Sequence, residues 1–264
     1  MRLLIMFDGE VGNGVVDWLL MNFPDDVSVL VAIRNSAELE NAKKRGIPCV
    51  IFKSEQQILL ALEKYGEFDI GILLWWPKVI SQNLISRTSR GFINTHPSYL
   101  PYCRGKNYNF WTLIEEAPFG VSLHFVTQKV DAGNVIAQRK VPYSWEDNGE
   151  TLYEKAQKEM YKLFVDTYPK LRKGIPQGFV QDLAQGSFHY QHEMEIMSRI
   201  DLDGSYIARD LLNIIRARTF FGHPAAFFLE GDETFEVTVS IKKSPDRMVV
   251  PSNHRGKSAS NTEF

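Results

Sequence analysis

The sequence predicts an α/β fold, in which a Rossmann-like, mostly parallel sheet is flanked by helices and followed by a small C-terminal α+β appendage. Apolar runs of strand length alternate with amphipathic runs of helix length through the first half of the chain. Beyond about Gly174 this alternation gives way to short aromatic and polar stretches. We therefore predict a main domain at residues 1–173, a C-terminal module at 174–243 and a mobile polar tail at 244–264.

The first half should contain five strands joined by helical crossovers. The predicted strands are residues 3–7, 27–33, 49–52, 69–74 and 91–94. Since strands that alternate with helices form right-handed crossovers, these strands should run parallel. Three apolar sets between them have helical spacing: Val15, Val16, Leu19 and Leu20; Ile58, Leu59 and Leu62; and Val79, Ile80, Leu84 and Ile85.

After residue 109 the pattern changes. A helix through residue 113 is followed by two predicted strands at 121–126 and 135–141, with Asp131-Ala132-Gly133 in the turn between them. A long helix is expected at 150–170. In the appendage we predict a helix at 203–218 and a hairpin that joins strands 227–229 and 235–241.

Composition excludes several classes of protein. A formal net charge of -2 gives no electrostatic reason to expect a nucleic-acid partner. The cysteines, Cys49 and Cys103, are too few for a disulfide framework, which favours a reducing compartment. Asp8 interrupts the first apolar run too early for a signal peptide, and no segment reaches membrane-spanning length. We therefore expect a cytoplasmic protein without a membrane partner.

Glycines after the first predicted strand could cradle a phosphate. Gly9, Gly12 and Gly14 lie between a strand and a helix, as in dinucleotide-binding proteins. Asp17 stands where the third glycine of that fingerprint belongs. We predict a tight strand-to-helix turn here and no NAD site.

Asn94 and His96 follow a buried strand, where functional loops of open α/β sheets emerge. Two positions apart on an extended backbone, both side chains can face one crevice. A carboxamide can donate hydrogen bonds to an oxyanion, an imidazole can exchange a proton near neutral pH, and Asp131 could orient that imidazole. On spacing alone, loop caps and an ordinary Asp-Ala-Gly turn are the better interpretation.

Three blocks of the sequence favour the catalytic interpretation of these residues over the structural one. Residues 69–76, the Asn-x-His-Pro-Ser-x-Leu-Pro-x-x-Arg-Gly run at 94–105, and residues 120–136 resemble the 10-formyltetrahydrofolate-dependent formyltransferase family in order and spacing. The resemblance implies catalytic Asn94, His96 and Asp131, support from His124, 10-formyltetrahydrofolate as donor and no metal. It also implies donor contacts near Leu74, Trp75, Trp76, Lys78, Ile80 and Asp131, although the two tryptophans could simply pack.

The family offers three acceptors: initiator methionyl-tRNA, glycinamide ribonucleotide and an amino sugar on a nucleotide. The tRNA enzymes resemble longer chains with a basic C-terminal barrel, and the glycinamide enzymes have a different phosphate loop from residues 8–12. Residues 212–228 resemble the C-terminal region of nucleotide-sugar N-formyltransferases, although a related Arg-Ala stretch occurs in tRNA enzymes. We predict a dTDP- or GDP-linked amino-dideoxy sugar acceptor, a place in O-antigen or surface-polysaccharide synthesis, and a homodimer.

Other functions stay open at this point. The alternatives are methionyl-tRNA or glycinamide ribonucleotide formyltransferase, a formyltetrahydrofolate hydrolase, and a catalytically silent sensor, against which the intact triad argues. Candidate acceptor contacts are aromatic residues that could stack on a base, arginines that could pair with a diphosphate, and one amide. Core packing is equally consistent with each aromatic. These residues are Tyr102, Arg104, Asn107, Tyr190, Arg216, Arg218, Phe220 and Phe221.

Overall fold

The computed structural model describes residues 1–245, so most of the predicted tail lies outside the described residues. The strands are β1 (Leu3–Phe7), β2 (Val27–Ala32), β3 (Cys49–Ile51), β4 (Ile70–Leu74), β5 (Phe92–His96), β6 (Arg104–Gly105), β7 (Gly120–Phe125), β8 (Val135–Lys140), β9 (Phe188–His189), β10 (Ala226–Glu230) and β11 (Glu233–Val237). The α-helices are α1 (Gly9–Asn22), α2 (Ala37–Lys44), α3 (Glu55–Leu62), α4 (Gln82–Ile85), α5 (Tyr108–Ile114), α6 (Gly149–Lys173), α7 (Glu193–Met197) and α8 (Ala208–Arg218).

The central sheet has the order β3-β2-β1-β4-β5-β7-β8. The first five of these strands pair in parallel, and β7 and β8 are antiparallel. The predicted mostly parallel, Rossmann-like sheet is therefore confirmed. Strand order reverses at β1 and β4, and in open sheets a crevice for ligands forms beyond the carboxyl ends of the strands at such a point.

Alternate residues of each strand enter different cores. In β1, Leu3, Ile5 and Phe7 join a core that includes residues of α1 and α6. Leu4 and Met6 join a second core with residues of α3 and α4. Because both faces of the sheet are covered, β1 is apolar at every position, as expected for a parallel strand buried on both sides.

Gly12 lets α1 lie close to the sheet. A Cβ atom at this position would lie 3.1 Å from both the Leu74 carbonyl oxygen and Phe7 Cβ. Gly9 starts the helix with a φ of +65°, in the left-handed region that favours glycine. Both glycines serve the tight strand-to-helix turn that the sequence predicts.

Helix α6 starts at a capping box. The Asn148 side chain accepts a hydrogen bond from Thr151 N–H at 2.9 Å, and Thr151 Oγ1 accepts one from Asn148 N–H at 3.0 Å. Gly149 follows because a Cβ atom there would lie 2.3 Å from the Ala217 carbonyl oxygen of α8. The helix therefore begins one residue before the prediction and runs to Lys173 rather than 170.

Several predicted boundaries are wrong. Helix α4 is one short turn, and Val79, placed on its apolar face by the sequence, is 81% exposed in the loop that precedes it. Helix α8 begins at Ala208 rather than 203, and β11 ends at Val237 rather than 241. Helix α2 was not predicted, because only its Leu39 and Ala42 are buried and eight residues rich in charge carry little apolar periodicity.

The C-terminal module packs on the main domain through α8, which lies against α5. Buried Ile214 and Ala217 provide the apolar contact. Among residues 1–245, no helix combines the length and the apolar character that crossing a membrane requires. The division into 1–173 and 174–243 stays a prediction.

Candidate active site

Strand β5 carries the first two site residues, and it extends to His96, two residues beyond the prediction. Thr95, between Asn94 and His96, faces away from them: its Oγ1 accepts from Trp75 N–H at 2.9 Å and donates to the Leu73 carbonyl at 3.1 Å. These bonds fix the end of β5 against the end of β4. Asn94 and His96 consequently share the opposite side of the strand.

Asp131 reaches both residues from the loop between β7 and β8. Its Oδ2 lies 3.5 Å from His96 Nδ1, and its Oδ1 lies 3.5 Å from Asn94 Nδ2. The residue has a φ of +51°. Two residues later, Gly133 lies so close to β7 that a Cβ atom there would be 1.9 Å from the Phe125 carbonyl oxygen. The three residues that the sequence singled out therefore meet in one place.

His124 completes the cluster from β7, where it pairs with Asn94. Its Nδ1 lies 2.9 Å from the Phe125 carbonyl oxygen, so Nδ1 carries the proton and donates it there. Its Nε2 is then free to accept from Asn94 Nδ2 at 3.1 Å. One N–H of the Asn94 amide is thus bound to His124. The other points toward Asp131 at 3.5 Å, the long limit of a hydrogen bond, and is available to bind another acceptor.

Burial and charge set the protonation of the central pair. Burial lowers the pKa of His96, and the nearby Asp131 carboxylate only partly offsets this. Burial alone would raise the pKa of Asp131, but His96, His124 and the Gly105 N–H, 3.0 Å from Oδ2, together hold it well below its usual range. At neutral pH the pair is a neutral imidazole beside an ionised carboxylate.

His96 Nε2 is the atom that this arrangement leaves for chemistry. Because Nδ1 faces a carboxylate, Nδ1 carries the ring proton and Nε2 keeps its lone pair. Nε2 is buried and has no hydrogen-bond partner among residues 1–245, and the Cys103 backbone, close to the ring, raises the pKa of His96. A buried imidazole with an unpaired acceptor can remove a proton from an attacking nucleophile.

A cavity of about 790 Å³ opens over the cluster, and it receives most of the predicted donor-site residues. Trp75, Trp76, Lys78, Ile80 and Asp131 line it. Leu74 does not: its side chain is fully buried in the core, and its neighbour Leu73 lines the cavity instead. On a strand, adjacent side chains point to opposite faces, so a shift of one residue moves the contact.

Of the predicted acceptor contacts, Asn107 and Tyr190 line the cavity. The others lie outside its lining. Tyr102 packs against the core, buried Arg104 lies over the Phe188 ring, Phe220 packs near Tyr153, and Phe221 is 90% exposed.

Arg216 and Arg218 hold the C-terminal module together and onto the main domain. The Arg216 guanidinium lies over Trp145 at 4.3 Å and donates to the carbonyls of Ser144 and Asp147. Arg218 donates to the Ala225 carbonyl and to Glu195. Their prediction as substrate contacts is not supported by these positions, because each guanidinium is already engaged by protein groups.

Sequence reasoning missed many of the lining residues, among them Lys106, Tyr108, Phe188 and His189. Tyr108 Oη is buried without a partner among residues 1–245, and burial raises the pKa of its phenol well above the usual value. Lys106 and Tyr108 could have been predicted from their position just after the Arg104-Gly105 pair. Phe188 and His189 gave no signal, because their strand pairs with residues more than 80 positions away.

A cation could in principle use the same side chains. Ligand atoms of His96, His124 and Asp131 lie within 4.8 Å of one another. Two of these groups also have a hydrogen-bonding function, however, since His124 accepts from Asn94 and Asp131 accepts from the Gly105 amide. The arrangement is suited to proton transfer and oxyanion binding without a metal.

Two family models match the chain. The model described as formyl transferase covers residues 25–168, and the model described as N-formyltransferase dimerization C-terminal domain covers residues 193–243. Among curated proteins, a methionyl-tRNA formyltransferase of Listeria monocytogenes serotype 4a (strain HCC23) is 28% identical over 187 residues, which are 70% of this chain and 56% of that protein. The chain thus matches little more than half the length of this relative.

Solved structures share the fold over more of the chain. A sugar N-formyltransferase from Shewanella sp. FDAARGOS_354 superposes with a TM-score of 0.76 at 20% identity, over 92% of this chain and 99% of its own. A 4-N formyltransferase from Francisella tularensis gives 0.73 at 18% identity, over 92% and 99%. An N-formyltransferase from Helicobacter canadensis, solved with folinic acid and dTDP-3-aminofucose, gives 0.68 at 19% identity, over 88% and 85%.

Proposed function

We propose a reaction for this chain, which belongs to the formyl transferase family: it transfers a formyl group from 10-formyltetrahydrofolate to the amine of a nucleotide-linked amino-dideoxy sugar. Family membership follows from a match that spans more than half of the residues. The observation that carries the proposed chemistry is the neutral His96 with an unpaired Nε2, next to ionised Asp131 and the Asn94 amide, beneath a cavity of about 790 Å³.

The reaction needs a nucleophile, an oxyanion site and a proton carrier. The neutral acceptor amine attacks the formyl carbon, and the free N–H of Asn94 stabilises the oxyanion that forms. His96 Nε2 takes a proton from the amine nitrogen and returns it to the N10 nitrogen of the folate as the bond from that nitrogen to the formyl carbon breaks. Asp131 holds the imidazole in the required tautomer and stabilises its transient positive charge.

The lining of the cavity supports a folate donor. Trp75, Trp76 and Ile80 provide apolar and aromatic surface for a pterin ring, and they lie on the side of the cavity formed by the end of β4. Folinic acid is present in the similar structure from Helicobacter canadensis. We include Lys78 and Asp131 among the donor contacts, and we propose that no metal takes part.

An amino-sugar nucleotide is the acceptor that the comparisons favour. The similar structures described as a sugar N-formyltransferase and as a 4-N formyltransferase each cover 92% of this chain. Lys106 lies at the exposed rim of the cavity, where its charge suits a diphosphate, and Tyr190 offers an aromatic ring to a base. We propose a dTDP or GDP carrier and a place in surface-polysaccharide or O-antigen synthesis in the cytoplasm.

Methionyl-tRNA is the second candidate acceptor, because curated relatives carry that name. The match covers 56% of the relative from Listeria monocytogenes serotype 4a, so almost half of that protein has no counterpart in it. A net charge of -2 also disfavours a polyanionic acceptor.

We also propose a homodimer formed through the C-terminal module. The model that matches residues 193–243 is described as a dimerization domain. The module exposes large apolar side chains that a partner could cover, among them Ile196 (72% exposed), Leu202 (52%) and Ile207 (71%).

The test is formyl transfer from 10-formyltetrahydrofolate to a panel of dTDP- and GDP-linked 3-amino and 4-amino dideoxy sugars, with methionyl-tRNA and glycinamide ribonucleotide alongside, followed by mass spectrometry. We expect one sugar nucleotide to gain a formyl group in the presence of a chelator. His96→Ala should abolish this transfer while donor binding, measured by calorimetry, persists.

The other results would each assign a different function. Formylation of methionyl-tRNA alone would replace the sugar acceptor. Release of formate at the same rate with and without any acceptor would make the chain a hydrolase. Donor binding without turnover would make it a sensor.

A further inference from the structure

A segment of the C-terminal module, residues 187–189, lies directly on the strand that supplies Gly105. The approach is so close that a Cβ atom on Gly105 would lie 2.3 Å from the His189 carbonyl oxygen. The amides on both sides of Gly105 donate to this segment: Arg104 N–H to the Ser187 carbonyl at 3.1 Å and Lys106 N–H to the His189 carbonyl at 3.0 Å. We call residues 187–189 the brace segment.

The amide of Gly105 itself points toward the catalytic cluster. It donates to Asp131 Oδ2 at 3.0 Å. Successive amides of an extended chain point in alternate directions. The bonds from the Arg104 and Lys106 amides therefore fix the backbone on both sides of the Gly105 amide, which points the other way, to Asp131. The brace segment thereby sets the position of a hydrogen bond to the carboxylate that orients His96.

Glu115, at the end of α5, holds the brace segment in place. Its Oε2 accepts from Ser187 Oγ at 2.7 Å, and its Oε1 lies 2.5 Å from His189 Nε2. The His189 ring also stacks on Trp111, with centroids 3.7 Å apart and an interplanar angle of 7°. The Glu115 side chain is 29% exposed, so these contacts are partly shielded from solvent and salt.

We propose that Glu115 is a positioning residue of the active site, which fixes the brace segment and through it the Gly105 amide that binds Asp131. Glu115 does not belong to the residues that line the cavity, so its effect on the reaction passes through the segment. The kinetic part of this inference rests on the proposed formyl transfer. The structural part does not, because the contacts exist without substrate.

The same segment connects the active site to the module matched by the dimerization model. His189 Nδ1 lies 3.3 Å from Glu193 Oε2, and the Tyr190 amide donates to the same oxygen at 2.8 Å. Glu193 is the first residue of both α7 and the matched region. His189 therefore stands between a carboxylate of the main domain and a carboxylate of the C-terminal module.

The experiment compares Glu115→Ala with Glu116→Ala. Glu116 is the matched control, because it also pairs with the C-terminal module, through Arg209 at 2.9 Å, but its side-chain hydrogen bonds within residues 1–245 go to Arg209 and Asn213 and not to the brace segment. We expect Glu115→Ala to lower kcat roughly 10-fold to 100-fold, since small displacements of catalytic groups have effects of this size. The KM values for donor and acceptor should change by about twofold or less, and Glu116→Ala should leave kcat near wild type.

Two further measurements separate positioning from general destabilisation. Hydrogen exchange of the amides of residues 104–106, without substrate, should accelerate in Glu115→Ala and not in Glu116→Ala. Glu115→Gln, which keeps an acceptor for Ser187 Oγ, should recover part of kcat. If Glu115→Ala does not fold, Ser187→Ala breaks the same contact and Ser187→Thr restores the hydroxyl.

The outcomes distinguish the two proposals. If the wild-type protein formylates no acceptor, the proposed function fails and hydrogen exchange alone decides the inference. Unchanged exchange at residues 104–106 in a folded Glu115→Ala variant would overturn it. An equal loss of kcat in Glu116→Ala would also overturn it, because module docking in general would then explain the effect.

Discussion

Single residues of the site owe their properties to neighbours that are distant in sequence. His96 stays neutral because it is buried, and Asp131 stays ionised because two histidines and one backbone amide outweigh its burial. Both pKa values are lowered, which keeps the imidazole neutral and the carboxylate ionised, and perturbed pKa values of this kind cluster at functional sites. The chemistry proposed here therefore depends on the environment that brings these side chains together.

The first prediction concerns the pH dependence of Asp131→Asn. Burial lowers the pKa of His96 from the ordinary histidine value of 6.5, so the acid limb of kcat/KM in the wild-type protein should lie below pH 6.5. Asp131 raises the pKa of His96, and its neutralisation should move the limb to still lower pH. It should also reduce kcat roughly 10²-fold to 10⁴-fold, because the imidazole loses its tautomer and its counter-charge.

Steady-state kinetics across pH 4 to 9 would test this (roughly the range in which a histidine and its neighbours titrate). Asp166→Asn provides the control, since Asp166, on α6, pairs with Arg139 of β8 and its side chain is 62% exposed. A limb that moves to higher pH in Asp131→Asn would contradict the assignment of His96 as the titrating base.

At the scale of secondary-structure elements, the positions at which strands and helices end determine where the site residues lie. β5 continues through His96 because it pairs with β7, from which His124 faces Asn94. Helix α6 starts at the capping box of Asn148 and Thr151, directly after the loop that binds Arg216. The start of α6 therefore affects both the main core and the contact between the C-terminal module and the main domain.

The second prediction concerns this cap. Asn148→Ala should destabilise the protein by about 1 kcal/mol, because the first turn of α6 loses a side-chain acceptor. For a chain of this size that corresponds to a fall in Tm of roughly 2–4 °C. Asn22→Ala, at the exposed C-terminal end of α1, is the matched control and should change stability by less than about 0.5 kcal/mol. Equal effects of the two changes in thermal unfolding would argue against the cap.

For the whole molecule, buried polar contacts join parts that are far apart in sequence. Asp26, at the start of β2, accepts from Tyr168 Oη at 2.7 Å and pairs with Arg172 and with the amino group of Met1. Burial would raise the pKa of Asp26, but these hydrogen bonds lower it. The carboxylate thus ties the beginning of the sheet to the end of α6.

The third prediction concerns the proposed dimer. Light scattering should give about twice the chain mass of 30.3 kDa. Ile207→Asp should shift the protein toward monomer, because it places a charge on the exposed apolar surface of the C-terminal module. Leu60→Asp, on the 61% exposed position of α3, should leave the mass unchanged. A wild-type mass of 30.3 kDa would refute the dimer, and dissociation by Leu60→Asp would place the interface elsewhere.

The sequence by itself determined the α/β class with its mostly parallel sheet and the family, and these are confirmed. Continuous apolar runs such as 3–7 are typical of strands buried on both faces, and the spacing of Asn94 and His96 places them on one side of an extended strand. The apolar periodicity is weak where few residues are buried. For this reason the sequence did not predict α2, and it placed Val79 on a helix although that residue lies in a loop.

Only the tertiary structure decided which groups face one another. Asp131 meets His96 because β7 and β8 return the chain to the end of β5, and Leu73 rather than Leu74 faces the cavity because of strand register. The Arg216 and Arg218 side chains are engaged in hydrogen bonds that form only when the C-terminal module is folded and packed on the main domain. A sequence pattern reports which side of an element is buried, but what lies opposite depends on contacts between residues far apart in the chain.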